Sequence, residues 1–282
     1  MRNVESSTIP AQEIGSDTFP SSGGTSAAGM AAVDRALLVL EFLAGSPHGL
    51  SVTELSSRLG INKGLTHRIL TSLAARGYIS KEETTQHYQI TTRLIALAFR
   101  HLRVLDMYDV LLPILRKLAR ETGELAELNW VQVDRLVTVA KADSPRQLRM
   151  VSYLGEEQML HATAAGKVWL ASLPEDDALR RAVALGMPRQ TERTITTVID
   201  LQRELALVRE RGYAVNFQES GLDVTALAAP IRSTEGDRQV VGTVGIVAPA
   251  FRDVSENEET IQMVLNAARE IEEAWPFVSL DG

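Results

Sequence analysis

Cysteine is absent from the 282-residue sequence, and this absence removes several classes of function. Without a thiol, the chain cannot form a disulfide, a zinc–thiolate site, an iron–sulfur cluster or a cysteine nucleophile. No apolar run approaches the roughly 20 residues that a bilayer-spanning helix needs. No basic patch followed by an apolar core stands near the N-terminus, so no secretory signal is expected. These absences are compatible with a reducing cytoplasm, where we expect the protein to be found.

Sequence motifs of common catalytic sites are also missing. There is no G-x-S-x-G elbow, no G-x-G-x-x-G fingerprint and no P-loop. His161 beside Thr163 is predicted to be structural, and Lys167 is predicted to face solvent or to pair with a carboxylate on its own helix. No nucleophile stands with a base, and the histidines show no metal-ligand spacing: His48, His67, His87, His101 and His161. We therefore predict a protein that is not an enzyme and that uses no metal and no cofactor.

The composition is that of an ordinary globular protein, with 45% apolar and 23% charged residues, and its length suits two domains. The net charge of −7 argues at first sight against nucleic acid. The charge is uneven, however: residues 30–100 carry 8 Lys/Arg against 5 Asp/Glu, whereas residues 101–282 carry 20 against 28. This distribution suits a DNA-binding head joined to a body with another task. The alternative is that so small an imbalance arises by chance.

Capping signals organise the head. Residues 1–29 are rich in Ser, Thr, Gly and Pro and are predicted to be a disordered tail. An amphipathic helix then runs from Ala31 to about Gly45. Ser51 and Glu54 form the two halves of a capping box that begins a second helix, which ends at Gly60. The third helix is capped by Asn62 and closed by Gly77. Two capped helices joined by so short a turn predict a helix-turn-helix.

Two short strand candidates follow, at residues 78–81 and 87–90, and they predict a wing. On the third helix, Leu65, Ile69 and Leu73 form an apolar stripe. The polar side chains assigned to the opposite face can bind phosphate or base edges: Lys63, Thr66, His67, Arg68 and Thr71. The alternative is an ordinary solvated face, and Glu82 and Glu83 in the wing would repel phosphate.

Helices alternate with strands in the body, which predicts an α+β domain built on a largely antiparallel sheet. Two helices at residues 93–106 and 107–122 come first, the former connecting head to body. Asp200 is predicted to cap a helix that ends at Gly212. The other predicted elements are a hairpin of Leu128–Val133 with Leu136–Ala140, a strand at Leu148–Leu154, helices at Thr163–Leu173 and Glu175–Leu185, strands near 213–219, 224–232 and 239–247, and a helix near 256–274.

Several fragments from Met30 to about Trp275 resemble the IclR family of bacterial transcription regulators. The most telling stretch is Leu160–Lys167, with the sequence LHATAAGK. The other matching fragments, in the family's order, are Ala32–Leu37, Leu50–Leu55, Gly60–Lys63, His67–Leu70, Gly77–Ile79, Thr194–Thr196, Glu210–Ala214 and Leu227–Ile231.

The resemblance implies a winged helix-turn-helix, a linker helix and a GAF-like α/β effector-binding domain. The boundaries would be 1–29 for the tail, 30–92 for the DNA-binding domain, 93–106 for the linker and 107–277 for the effector domain. It also implies dimers, often dimers of dimers, on palindromic operators. One departure is Gly64-Leu65, where members carry Ser-Thr or Ser-Ala. Gly64 costs up to about 1 kcal/mol of helix propensity and lacks a phosphate-binding hydroxyl, so base preference is not inherited.

An effector site is implied by the same resemblance. In members that bind small oxo acids, the acid lies at backbone amides matching Ala164 and Ala165, where a helix N-terminus favours an anion. The remaining ligand positions, an acidic residue, a cysteine and two serines, fall on Asn216, Ala226, Gly245 and Val247. This loss of polar side chains predicts a roomier, more apolar pocket. We expect it to be lined by Leu128, Trp130, Met150, Met159, Trp169 and Leu222.

The sequence thus predicts a ligand-responsive transcriptional regulator, either a repressor or an activator, that binds operator DNA and itself. Its effector is predicted to be a small carboxylate with an aromatic or bulky apolar body. Two simpler interpretations stay open for this site: small residues at Ala164–Gly166 allow close packing, and Trp130 and Trp169 are core residues. A different function also stays open, that of a sensor or dimerisation protein whose head binds protein rather than DNA.

Overall fold

A computed structural model of the chain describes residues 32–104, 107–234, 237–252 and 254–274. The predicted tail, residues 1–29, lies outside the described residues, as do the last two residues of the predicted linker helix. The chain divides into two compact units, the first ending at His101 and the second beginning at Leu102. None of the helices in the described ranges combines the length and apolarity needed to cross a membrane.

A helix-turn-helix with a small wing makes up the first unit. Its elements are α1 (Ala32–Ala44), α2 (Val52–Leu59), α3 (Lys63–Ala75), β1 (Ile79–Lys81) and β2 (Tyr88–Ile90), and α4 (Arg93–Val104) begins in it. The two strands pair antiparallel. One core joins α1, α2 and α3 to the wing through Val39, Leu55, Leu70, Ile79 and Tyr88.

The predicted caps fix where α2 and α3 begin. The Ser51 hydroxyl oxygen accepts a hydrogen bond from the Glu54 N–H at 3.3 Å, and the Glu54 carboxylate accepts one from the Ser51 N–H at 2.8 Å. Gly60 ends α2 with φ +64°, a left-handed conformation that favours glycine. Asn62 Oδ1 then accepts the Leu65 N–H at 2.9 Å. These contacts confirm the capping box and both helix starts, and they fix the tight turn between α2 and α3.

The second unit is a five-stranded antiparallel sheet with strand order β4-β3-β7-β6-β5, covered by helices on both faces. α5 and α9 cover one face, and α6, α7 and α8 cover the other. The elements are α5 (Met107–Thr122), β3 (Leu125–Gln132), β4 (Arg135–Ala142), α6 (Ala164–Ser172), α7 (Glu175–Ala184), α8 (Val198–Arg211), β5 (Ala214–Phe217), β6 (Val224–Arg232), β7 (Val240–Pro249) and α9 (Glu258–Ala274).

Strand alternation decides which face each side chain joins. On β6, Leu227 and Ala229 belong to the core under α5 and α9, whereas Ala226 and Ala228 belong to the core under α6. Because both faces are covered, β6 is buried along almost its whole length. The predicted α+β class and antiparallel sheet are confirmed.

Two predicted local features are wrong. Leu148–Leu154 is not a strand, because no strand pairs with it; Leu148, Tyr153 and Leu154 are exposed in an irregular segment. Asp200 does not cap α8. Thr197 does, because its backbone is extended and its hydroxyl oxygen accepts the Asp200 N–H at 3.2 Å, so that Asp200 lies in the first turn.

Candidate functional site

The outer face of α3 carries an exposed polar stripe. Lys63, His67 and Thr71 follow one another at one-turn intervals, with Arg68 beside them and Gly64 also exposed. The Thr71 hydroxyl donates to the His67 carbonyl at 2.9 Å. Within the part of the chain that the structure describes, neither cation of the stripe forms an ion pair. The stripe therefore presents two free positive charges and several donors on one helix face.

Thr66 does not belong to this stripe, contrary to expectation. It is fully buried, and its hydroxyl donates to the Asn62 carbonyl and bonds the Ser56 hydroxyl, both at 3.1 Å. The helical period explains the error: residue 66 lies three before Ile69 and four before Leu70, on the apolar side. Thr66 thus ties α3 to α2 and presents nothing to a ligand of the outer face.

The turn of the wing is held by its own polar groups. Lys81 Nζ donates to Gln86 Oε1, and the Thr85 hydroxyl donates to Glu82 at 2.7 Å. Glu83 is exposed beside them. These polar groups of the wing are therefore already hydrogen-bonded to one another, which leaves them less available to a DNA phosphate.

In the second unit, the buried N-terminus of α6 has two backbone donors without an acceptor among the described residues. Thr163 caps the helix, and its hydroxyl oxygen accepts the Gly166 N–H at 3.1 Å. The N–H groups of Ala164 and Ala165 have no acceptor among the described residues. A Cβ on Gly166 would lie 2.4 Å from the Leu160 Cα, so glycine is needed for close packing here. The packing interpretation of this stretch is supported by Gly166, and the anion site at the two amides stays a prediction.

Four positions were matched by resemblance to the ligand residues of oxo-acid-binding members, and three of them form a row across the sheet. Asn216 pairs with Ala226, and Ala226 pairs with Val247. Gly245 lies two residues before Val247 on the same face, and a Cβ there would lie 2.3 Å from the Leu227 carbonyl oxygen. α6 packs against β5, β6 and β7. The structure therefore brings these four positions to the face that α6 covers.

Leu128, Trp130 and Leu222 are not brought to that face. Leu128 and Trp130 contact the core under α5 and α9, because alternate residues of β3 point to opposite sides. Leu222 lies in the turn after β5 and is 69% exposed. These three predicted placements are wrong. Trp169 is buried in the α6 core, with its ring 5.5 Å from the guanidinium carbon of Arg181, and Met150 and Met159 are half-buried.

Polar residues that the sequence reasoning missed occupy the α6 side of β3 and its neighbours. Asn129 accepts a hydrogen bond from the Thr138 hydroxyl at 2.9 Å and donates to the Thr243 hydroxyl at 3.3 Å. Glu127 is buried directly opposite Gly245, and burial raises the pKa of its carboxyl. This sheet face is more polar than predicted. The signal was present, since Glu127 and Asn129 alternate with the apolar residues of β3.

A buried ion network fastens the turn after β5 to α6. The Lys167 side chain is only 1% exposed, and its Nζ lies 2.6 Å from Glu219 and 3.1 Å from Glu204, which also pairs with Arg211 at 2.9 Å. The prediction that Lys167 faces solvent is wrong. It does pair with carboxylates, as the alternative expected, but these lie on α8 and in the turn after β5 and not on its own helix. Asn216 Oδ1 accepts the Glu219 N–H at 2.8 Å. Asn216 is therefore committed in part to shaping this turn.

Glu219 has one oxygen without a partner. Its Oε2 is buried and forms no hydrogen bond within the described ranges of the chain. Burial raises the pKa of Glu219, although Lys167 acts in the opposite direction. His161 is a separate buried group, with its Nε2 3.0 Å from the Pro188 carbonyl oxygen, and burial lowers its pKa. A neutral imidazole that donates to a carbonyl has the structural role predicted for it.

Comparison with known proteins covers both units. Residues 32–83 match the IclR helix-turn-helix domain, and residues 99–273 match the bacterial transcriptional regulator IclR C-terminal domain. The HTH-type transcriptional regulator KdgR of Escherichia coli is 32% identical over 228 residues, which cover 80% of this chain and 86% of that protein.

Solved structures have the same fold. An IclR transcriptional regulator from Alicyclobacillus acidocaldarius has a TM-score of 0.75 and 26% identity, with 86% of this chain and 97% of that chain covered. An IclR homologue from Microbacterium hydrocarbonoxydans, complexed with 4-hydroxybenzoate, has a TM-score of 0.73 and 20% identity, with 86% and 98% covered. The curated relatives are transcriptional regulators and not enzymes. The chain belongs to the IclR family of DNA-binding transcriptional regulators, with an N-terminal helix-turn-helix and a C-terminal effector domain.

Proposed function

We propose that this regulator responds to a small carboxylate with an aromatic or bulky apolar body, held at the N-terminus of α6. The observation that carries the proposal is the pair of N–H groups on Ala164 and Ala165 that have no acceptor among the described residues. A helix N-terminus stabilises a carboxylate through its free donors and the helix dipole. Ala226 and Val247 supply small or apolar side chains where oxo-acid-binding members have polar ones. They favour a larger apolar body over pyruvate.

The buried carboxyl of Glu127 bears on which polar groups the ligand carries besides its carboxylate. Its buried carboxyl lies opposite Gly245 on the same sheet face. Such a group disfavours a second carboxylate and favours a hydroxyl that can hydrogen-bond to it. An aromatic acid with a hydroxyl distant from its carboxylate suits this arrangement, and 4-hydroxybenzoate, the ligand of the Microbacterium homologue, is the first probe. Its binding to this chain rests on the present proposal alone.

On the DNA side, we propose that α3 lies in the major groove. Lys63 and Arg68 would contact phosphate or guanine, and His67 and Thr71 would contact base edges or the backbone. Gly64 would let the helix approach DNA closely without adding a hydroxyl contact. The domain boundaries proposed are 30–92 for the DNA-binding domain, 93–106 for the linker and 107–277 for the effector domain. A homodimer, or a dimer of dimers, would match paired half-sites.

The first experiment titrates the full-length protein against DNA from upstream of its own gene, by fluorescence anisotropy at several salt concentrations, with unrelated DNA as the control. We expect salt-sensitive binding that prefers the upstream sequence. Addition of 4-hydroxybenzoate should then change DNA affinity, and DNA should change ligand affinity by the same factor. Pyruvate acting at equal or lower concentration would overturn the proposed effector class.

A proline substitution tests the amide donors directly. Ala164 is the first residue of α6, where proline is tolerated, and Thr163 before it is already extended with φ −102°. Ala164→Pro removes one N–H and should weaken 4-hydroxybenzoate binding roughly tenfold, the effect of losing one hydrogen bond to a charge. Val198→Pro at the first position of α8 is the matched control. Equal affinity of Ala164→Pro and wild type, with both folded, would remove α6 from the site.

A further inference from the structure

A concave cleft lies on the other side of the effector domain, between α5 and the end of the edge strand β4. It has a volume of about 450 Å³, within the range of small-molecule pockets. Its apolar lining consists of Leu112 and Ala119 from α5, Ala142 from β4, and Leu154 from the irregular segment that follows. Ala119 and Ala142 belong to the core under α5 and α9, so the floor of this cleft lies on the opposite face of the sheet from α6. Lys141 at its edge pairs with Glu127 of the α6 face.

The polar lining of this cleft is cationic. Arg116 and Arg120 stand one turn apart on α5, both exposed, and neither has a hydrogen-bond or ion-pair partner within the described residues. Lys141 lies on the opposite wall and donates to the Ser152 carbonyl at 2.8 Å and to Asp143 at 3.3 Å. Asp143 offsets Lys141, which leaves two unpaired guanidinium groups beside an apolar floor.

We propose that this cleft binds an amphiphilic organic carboxylate, with the carboxylate on Arg116 and Arg120 and the apolar body on Leu112 and Leu154. Guanidinium groups bind carboxylates through paired hydrogen bonds, which makes arginine well suited to this task. The apolar floor favours a ligand with an organic body, because an inorganic anion would make no apolar contact with Leu112 and Leu154. Arg116 and Arg120 take no part in the proposed α6 site, and a ligand here would act on α5.

Calorimetric titration with octanoate tests the proposal, with the neutral octanamide as the matched ligand. The wild-type protein should bind octanoate more tightly than octanamide. Arg116→Gln/Arg120→Gln should weaken octanoate binding roughly ten- to a hundredfold, as expected for lost hydrogen bonds between charged groups. Its octanamide binding should not change. Arg180→Gln/Arg203→Gln, which alters two exposed arginines elsewhere in the effector domain, should leave both ligands unaffected.

Three outcomes would overturn the proposal: no octanoate binding by the wild type, equal binding of acid and amide, or octanoate binding that survives Arg116→Gln/Arg120→Gln. The last outcome would place the ligand elsewhere, and loss of that binding in Ala164→Pro would assign it to α6. Because the two sites respond to different substitutions, failure of either proposal leaves the other intact.

Discussion

Replacing Lys167 by methionine should be one of the most damaging single changes in the effector domain. The side chain is 1% exposed and its ammonium group contacts Glu219 and Glu204. Methionine fills a similar volume but removes the cation that contacts Glu219 Oε1. The other oxygen, Glu219 Oε2, already has no partner among the described residues, so the variant would bury an isolated carboxylate. Glu204 keeps its contact with Arg211. Breaking a buried pair in this way costs about 3–5 kcal/mol.

That free energy corresponds to a lower Tm by about 6–20 °C, because a domain of this size loses roughly 2–4 °C per kcal/mol. Thermal unfolding followed by circular dichroism measures the change. Lys117 is the matched control: its Nζ also lies 2.6 Å from a carboxylate oxygen, that of Glu270, but its side chain is 48% exposed. Exposed pairs contribute little, so Lys117→Met should leave Tm almost unchanged.

Two further measurements separate charge from packing. Lys167→Met/Glu219→Gln should be more stable than Lys167→Met, since the double variant buries no isolated carboxylate. The loss in Lys167→Met should also grow from pH 5 to pH 8. Burial raises the folded-state pKa of Glu219 and Lys167 opposes that rise, so removing Lys167 raises this pKa further. The variant therefore loses more stability than the wild type as the pH rises. Equal Tm losses for Lys167→Met and Lys117→Met, or no recovery in the double variant, would refute the reasoning.

Three other predictions concern the remaining polar groups. Lys63→Ala should weaken binding to all DNA alike and reduce the slope of log affinity against log salt by about 0.9; an unchanged slope would exclude a phosphate contact. Thr66→Val should destabilise the head by about 1–3 kcal/mol, because its buried hydroxyl bond to Ser56 is lost, yet leave DNA affinity of the folded protein unchanged. Glu127→Gln should raise Tm more at pH 8 than at pH 5, since burial raises the pKa of Glu127 despite nearby Lys141; a constant difference would contradict this sign.

Local chemistry made the head predictable. Each cap depends on a few consecutive residues, such as Ser51 with Glu54 and Asn62 with Leu65, and each lies where the sequence indicates. Thr66 was misplaced because a polar residue was assigned to the polar face by type rather than by helical angle. Thr66 lies three residues before Ile69, and this spacing places it on the apolar face of α3.

The effector domain was harder, because its side-chain positions depend on pairings between distant strands. Residue type suggested Leu128 and Trp130 as pocket residues, yet the alternation of β3 turns them to the opposite face. The row from Asn216 through Ala226 to Val247 depends on the register of three strands. The burial of Lys167 depends on Glu219, which is 52 residues away in sequence. No local pattern carries such information.

The close approach of β6 and β7 at Gly245 would limit how the proposed effector site can change its ligand. A side chain at position 245 would meet the Leu227 carbonyl oxygen at 2.3 Å, and that oxygen belongs to the backbone and cannot rotate away. Gly245→Ser would therefore have to displace a central strand before its hydroxyl reached any ligand. Engineering a small oxo-acid response into this scaffold would begin at Ala226 or Val247, and Gly245 would change only after β6 had been moved.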